Sequence, residues 1–245
     1  MSKLYVVGLG PGGAEFMTPQ ADAAIGASDI IYGYTVYIDL IRDRYPEKEQ
    51  RTTGMRREVE RCELALAEAA GGHTVSMVCS GDPGVYGMAG LILQMLPGYP
   101  GVEVEVVPGI TAATAGAAVL GAPLGHDFAV ISLSDLLTPW PLIEQRLAAC
   151  AGADMLICLY NPSSNKRHDY LTRACDILLE TLPGQRVCGF VRNIGRAGEA
   201  ATVTTLSALR DTPVDMFTTV FIGNSATEML DGRMVTPRGY RGLDA

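Results

Sequence analysis

Apolar runs of strand length recur along the chain, with helical patterns between them. The runs fall at residues 4–7, 29–32, 75–79, 102–107, 128–133, 155–160, 187–192, 201–204 and 218–223. Between them, residues 20–26, 36–44, 56–70, 112–120, 141–151 and 170–182 carry helix signals, and Leu91, Ile92 and Leu93 mark one more helix. Thr18-Pro19 reads as an N-cap and first helical residue. In the clearest helix, 56–70, Val59, Cys62, Leu66 and Ala69 share one stripe, Glu58, Arg61 and Glu68 lie elsewhere, and Gly71-Gly72 ends it. Such alternation predicts an α/β protein. Gly121-Ala122-Pro123-Leu124-Gly125 reads as a linker, which predicts two α/β domains, 1–120 and 121–245. The Arg- and Gly-rich tail after Asp231 reads as poorly ordered or ligand-dependent.

Five of the strands run into polar or glycine-rich loops, at residues 8–12, 80–86, 108–112, 161–164 and 223–224. Ligands bind outside the carboxyl ends of strands in open α/β sheets, so Ser80, Gly81 and Asp82 stand where one docks. Gly8 to Gly13 satisfies the Gly-x-Gly-x-x-Gly dinucleotide pattern, yet two features oppose that reading. The helix begins only at Thr18-Pro19, and no acid ends the following strand, where Gly33-Tyr34 stands instead. A nicotinamide-dependent oxidoreductase is therefore the rival reading from another enzyme class.

Composition narrows the partners. The 245 residues are 48% hydrophobic and 19% charged, enough chain to bury a sizeable core. No apolar run approaches the length of a membrane span, and the first residues enter a strand pattern, so a cytoplasmic protein without membrane attachment is expected. A net charge of -8 argues against nucleic acid. The six cysteines form no Cys-x-x-Cys pair and several fall inside apolar runs, so they read as reduced core residues; no metal motif is visible. Of 19 basic residues only three are lysines. Arginines group at Arg51, Arg56 and Arg57, at Arg192 and Arg196, and at Arg233, Arg238 and Arg241, and their planar forks suit the carboxylates or phosphates of a polyanionic small molecule.

Gly8-Leu9-Gly10-Pro11-Gly12, Gly81-Asp82-Pro83 with Tyr86, Pro108-Gly109-Ile110-Thr111-Ala112 and Tyr160-Asn161-Pro162 resemble, in order and spacing, the tetrapyrrole methyltransferases that use S-adenosylmethionine. Within that superfamily, Gly121 to Asp135, Leu136-Leu137-Thr138-Pro139-Trp140 and Tyr160-Asn161-Pro162-Ser163-Ser164 resemble the precorrin-3B C(17)-methylating branch of cobalamin biosynthesis. The resemblance implies a homodimer of two-domain subunits with the cofactor between the domains. Carried over by position, Pro11, Ser80, Gly81, Asp82, Val85, Thr111, Ala112, Asn161 and Asn193 would contact S-adenosylmethionine, leaving S-adenosylhomocysteine as product. Asp82 offers an acceptor for the ribose or amine, and Thr111 also suits a helix N-cap.

The chemistry implied is methylation of carbon 17 with contraction of the macrocycle. Displacement at the sulfonium needs positioning above all. Contraction needs a base for the hydroxyl on carbon 20 and an acid for the leaving oxygen, for which His126, Asp127, Ser132, Ser134 and Asp135 are candidates. Arg51, Arg56 and Arg192 are candidates for the substrate's acetate and propionate groups, and Tyr86 for stacking on the macrocycle. A different precorrin or uroporphyrinogen methyltransferase of the same superfamily is the nearest alternative.

Overall fold

The computed structural model describes residues 2–164 and 167–240 in two compact units, Met1–Ala112 and Ala113–Ala245. In the first unit β1 (Lys3–Gly8), α1 (Pro19–Gly26), β2 (Ile30–Tyr34), α2 (Thr35–Asp39), β3 (Glu49–Thr53), α3 (Glu58–Ala70), β4 (Thr74–Cys79), α4 (Ala89–Met95) and β5 (Glu103–Val107) follow one another. The strands form one wholly parallel sheet in the order β3-β2-β4-β1-β5.

Period-two alternation sorts its side chains into two cores. Leu4, Val6, Val75 and Met77 pack under α3 and α4, whereas Val7, Ile31, Val78 and Val107 pack under α1 and α2. Every residue of β4 after Thr74 is buried, as a strand covered on both faces requires. Thr18 caps α1 as its sequence predicts, its Oγ1 accepting from Ala21 N at 3.1 Å. Two expectations for this unit are corrected. Only 35–39 of the predicted 36–44 helix forms; the chain then turns to bury Tyr45, whose hydroxyl donates to Asp22 at 2.5 Å. On α3 the buried stripe is Cys62, Ala65, Leu66 and Ala69, while Val59 is 54% exposed and Arg61 is buried, because the first turn lies beyond the strand ends.

The second unit holds α5 (Ala112–Leu120, its first residue just before the division), β6 (Gly121–Ala122), β7 (Phe128–Ser132), α6 (Trp140–Gly152), β8 (Leu156–Tyr160), α7 (Tyr170–Leu179), β9 (Val187–Arg192), β10 (Ala200–Thr205), α8 (Leu206–Arg210), β11 (Thr218–Ile222), β12 (Glu228–Leu230) and β13 (Arg233–Val235). Its main sheet, β10-β9-β11-β8-β7, is mixed: β7 and β8 run parallel, and every other pairing is antiparallel. Helices α6, α7 and α8 cover one face.

Helix α5, expected to close the first domain, packs on the other face. A Cβ on Gly116 would meet Ile194 Cδ1 at 2.9 Å and Phe221 Cζ at 3.0 Å, so its small residues let helix and sheet approach closely. This moves the division from 120/121 to 112/113. Residues 121–125 are not a free linker, because β6 pairs in parallel with β13. The tail is correspondingly ordered up to 240, with Met234 fully buried; Arg241 lies outside the described residues. The short α8 gave no periodic signal and was not anticipated.

Candidate functional site

In the first sheet β1 and β4 are neighbours whose following helices leave on opposite faces, α1 on one and α4 on the other. Such a switch point opens a crevice at the carboxyl ends of the strands. Here the two strand-end loops are joined through their backbones. Gly10 N donates to Gly81 O at 3.2 Å, Gly81 N to Gly10 O at 2.7 Å, and Leu9 N to Cys79 O at 2.8 Å. Gly10 and Gly81 have φ of 77° and 69°, conformations that favour glycine.

The loop after β5 closes on the same point. A Cβ on Gly8 would stand 2.6 Å from Gly81 O and 2.7 Å from Gly109 Cα, so three strand ends meet backbone to backbone. Asp82 fastens them: Oδ1 accepts from Gly84 N at 2.8 Å and Oδ2 from Gly109 N at 3.0 Å. Each carboxylate oxygen keeps a second lone pair, but both already hold backbone. The loop continues compactly, with Val85 N on Asp82 O at 3.2 Å and Ala89 N on Pro83 O at 3.0 Å. Pro11 is buried, Ser80 and Val85 are half-buried, and Tyr86 is 56% exposed with φ 55°. A non-glycine residue there carries strain, as do Arg56, Asn161 and Asn193 with φ of 65°, 54° and 54°. Burial pushes the Cys79 thiol, just before this loop, up to about 11, so it stays protonated at neutral pH.

The proposed carboxylate-binding arginines differ in their surroundings. Arg51 is already engaged by Glu49 at 2.6 Å, by Glu68 and by the Tyr32 hydroxyl at 2.7 Å; Glu49 contributes most to raising its pKa. Arg192 Nε pairs with Asp215 at 2.9 Å. Arg56 is exposed in the loop after β3.

A second set of residues converges within the other unit, where β7 and β8 end side by side with Ser132 opposite Tyr160. Asn161 Nδ2 donates to Ser132 Oγ at 2.9 Å, and Ser134 N to the same oxygen at 3.2 Å. Asp135 pairs with Arg167 at 3.0 Å, and the Tyr170 phenol has its pKa raised by burial first and by the nearby Asp135 second. The Tyr160 hydroxyl accepts from Ala113 N at 2.6 Å, satisfying an amide of the first turn of α5, which Ala112 begins. Asn193 follows β9, which runs in the same sense as β8 with β11 between them.

The candidate acids and bases do not gather. His126 and Asp127 precede β7, whereas Ser132 ends it and Ser134 follows, and the five residues from Asp127 to Ser132 at about 3.3 Å each separate the groups by roughly 16 Å. The His126 ring bonds Pro237 O at 3.0 Å, beside the small β6-β13 pairing.

Residues 3–210 match the family described as Tetrapyrrole (Corrin/Porphyrin) Methylases. The chain belongs to the tetrapyrrole methylases. Over 97% of its length the methylase is 47% identical to a probable cobalt-factor III C(17)-methyltransferase of Salmonella typhimurium, covering 99% of that protein. It is 42% identical over 98% of its length to a precorrin-3B C(17)-methyltransferase of Sinorhizobium sp, covering 97% of it. Among solved structures, the methyltransferase CobJ superposes with a TM-score of 0.89 at 39% identity, covering 96% of this chain and 99% of that one. No helix among the methylase's described residues is long and apolar enough to cross a membrane.

Proposed function

We propose that this methylase transfers a methyl group from S-adenosylmethionine to carbon 17 of precorrin-3B or its cobalt counterpart, cobalt-factor III, with contraction of the ring, in cobalamin biosynthesis. The observation that carries the reading is the near full-length identity with proteins named for that reaction. The methyl donor is that of the family.

The residues of the first unit fit such a donor. Gly8, Gly81 and Gly109 bring the backbones of three strand ends together, and Pro11, Ser80, Val85, Thr111 and Ala112 stand in the loops that follow them in sequence. Bound there, the sulfonium supplies an electrophilic methyl, and the protein's task is to hold donor and acceptor in line. Asp82 is assigned to keeping the loops in place, and Asn161 and Asn193 are proposed as donor contacts on the resemblance alone. Among the candidate acids and bases, Ser132, Ser134 and Asp135 share a strand end with Asn161 and are favoured for the contraction step over His126 and Asp127. Arg56 and Arg192 are proposed to meet substrate carboxylates, Arg51 being tied to two glutamates, and Tyr86 to face the macrocycle. A cytoplasmic homodimer completes the reading.

Mass spectrometry of the pigment after incubation with methyl-labelled S-adenosylmethionine tests it. One methyl gained and a ring-contracted product from either precorrin-3B or cobalt-factor III is expected, and the reactive pigment identifies the route. Label in a different precorrin or in uroporphyrinogen, and in neither of these, overturns the assignment.

A further inference from the structure

Arg61 is 4% exposed, and the groups that hold it are neutral: Nε donates to Thr53 Oγ1 at 2.7 Å and Nη2 to Gly54 O at 3.0 Å, with the Tyr34 ring 5.9 Å from the guanidinium carbon. No carboxylate among the described residues forms an ion pair with it; of the four acids of its own helix, Glu58, Glu60, Glu63 and Glu68, two are engaged elsewhere, Glu60 by Arg57 and Glu68 by Arg51. It also stands in the first turns of α3, where the helix dipole disfavours a cation. A buried charge in such a place calls for a counter-charge. Its surroundings are the carboxyl ends of the strands: Tyr34 ends β2 and Thr53 ends β3. β2 pairs with both β3 and β4, and β4 runs into the Ser80 to Asp82 loop at the same edge of the sheet. Nη1 bonds no described residue.

We propose that Arg61 is an anion-binding residue of the methylase and takes a carboxylate of the tetrapyrrole substrate; this rests on the substrate reading above. The chemistry is that of a charge-assisted carboxylate pair. The other carboxylate available is that of the methyl donor, so the test has two ligand arms. In Arg61→Met, the Kd for cobalt-factor III or precorrin-3B should weaken about tenfold or more, the loss expected for a hydrogen bond to a charged group. The Kd for S-adenosylhomocysteine and the circular dichroism spectrum should stay unchanged. Inorganic sulfate, compared with chloride at matched ionic strength, should raise the Tm of the natural protein and not that of Arg61→Met. An unchanged pigment Kd, or a loss confined to S-adenosylhomocysteine, overturns the assignment to the substrate. An equal sulfate response in both proteins overturns anion binding itself. If neither protein binds pigment, the substrate reading has failed, and the sulfate comparison still decides whether Arg61 holds an anion.

Discussion

The two polar strand ends are built by different means. At the carboxyl edge of the first sheet the contacts are largely backbone to backbone: Gly8, Gly81 and Gly109 touch, Gly10 and Gly81 exchange two hydrogen bonds, and the Asp82 side chain that fastens them binds amides. At the end of β7 and β8 the contacts are between side chains, or from side chain to amide: Ser132 with Asn161, Asp135 with Arg167, and the Tyr160 hydroxyl with the amide of Ala113. A backbone-built site presents peptide groups to a ligand and tolerates no added Cβ. A side-chain-built site tolerates truncation structurally and loses function instead.

Substitutions should separate the two kinds of site. Gly109→Ala is expected to be the most damaging, because its Cβ would collide with main-chain atoms of Gly8 and Gly81 that cannot swing aside. A loss of about 3 kcal/mol in urea unfolding, with loss of S-adenosylhomocysteine binding by calorimetry, is expected. Asp82→Ala frees two amides and should lower stability by about 2 kcal/mol, with Asp82→Asn milder because it keeps one acceptor. If Asp82→Ala leaves stability intact while abolishing cofactor binding, Asp82 contacts the ligand and does not clamp the loops.

Effects in the second unit should be smaller. Tyr160→Phe removes the acceptor for Ala113 N and should lower stability by about 1 kcal/mol, read from the denaturation midpoint. Asn161→Ala loses the bond to Ser132 and places alanine at φ 54°, at a similar expected penalty of about 1 to 2 kcal/mol. Asn161→Gly should recover the backbone part alone, so a glycine variant that is stable yet inactive would isolate the side chain's role in turnover.

Two remote changes calibrate the scale. Gly90 lies in α4 with open space where a Cβ would go, so Gly90→Ala should stabilise by about 0.5 kcal/mol in the same unfolding assay. The Asp22 carboxyl is held below its usual range by the Tyr45 hydroxyl first and Arg44 second. Its contribution is therefore present above the ordinary carboxylate pKa and fades as pH falls through the depressed value. The Asp22 side chain is 44% exposed, so screening should keep the loss in Asp22→Asn below about 1 kcal/mol at neutral pH, and the gap from the natural protein should close in thermal melts at low pH.

Much of this was legible in the sequence, because the signals are local. Strand and helix periods, the Thr18-Pro19 cap and the glycine-rich strand ends all lie within a few residues of the feature they specify. The resemblance, carried by those same loops, pointed to the family. What the tertiary structure alone decided depends on which distant segments lie side by side. Strand register makes Gly8, Gly81 and Gly109 neighbours and gives Asp82 to Gly109, across 27 residues. Sheet pairing captures β6 for the tail, and packing against Ile194 and Phe221 draws α5 into the second unit. The length of β7 puts His126 and Ser132 at opposite ends of one strand. The end of the sheet beneath α3 leaves Val59 in solvent and encloses Arg61, a charge that helical periodicity alone had assigned to the outside.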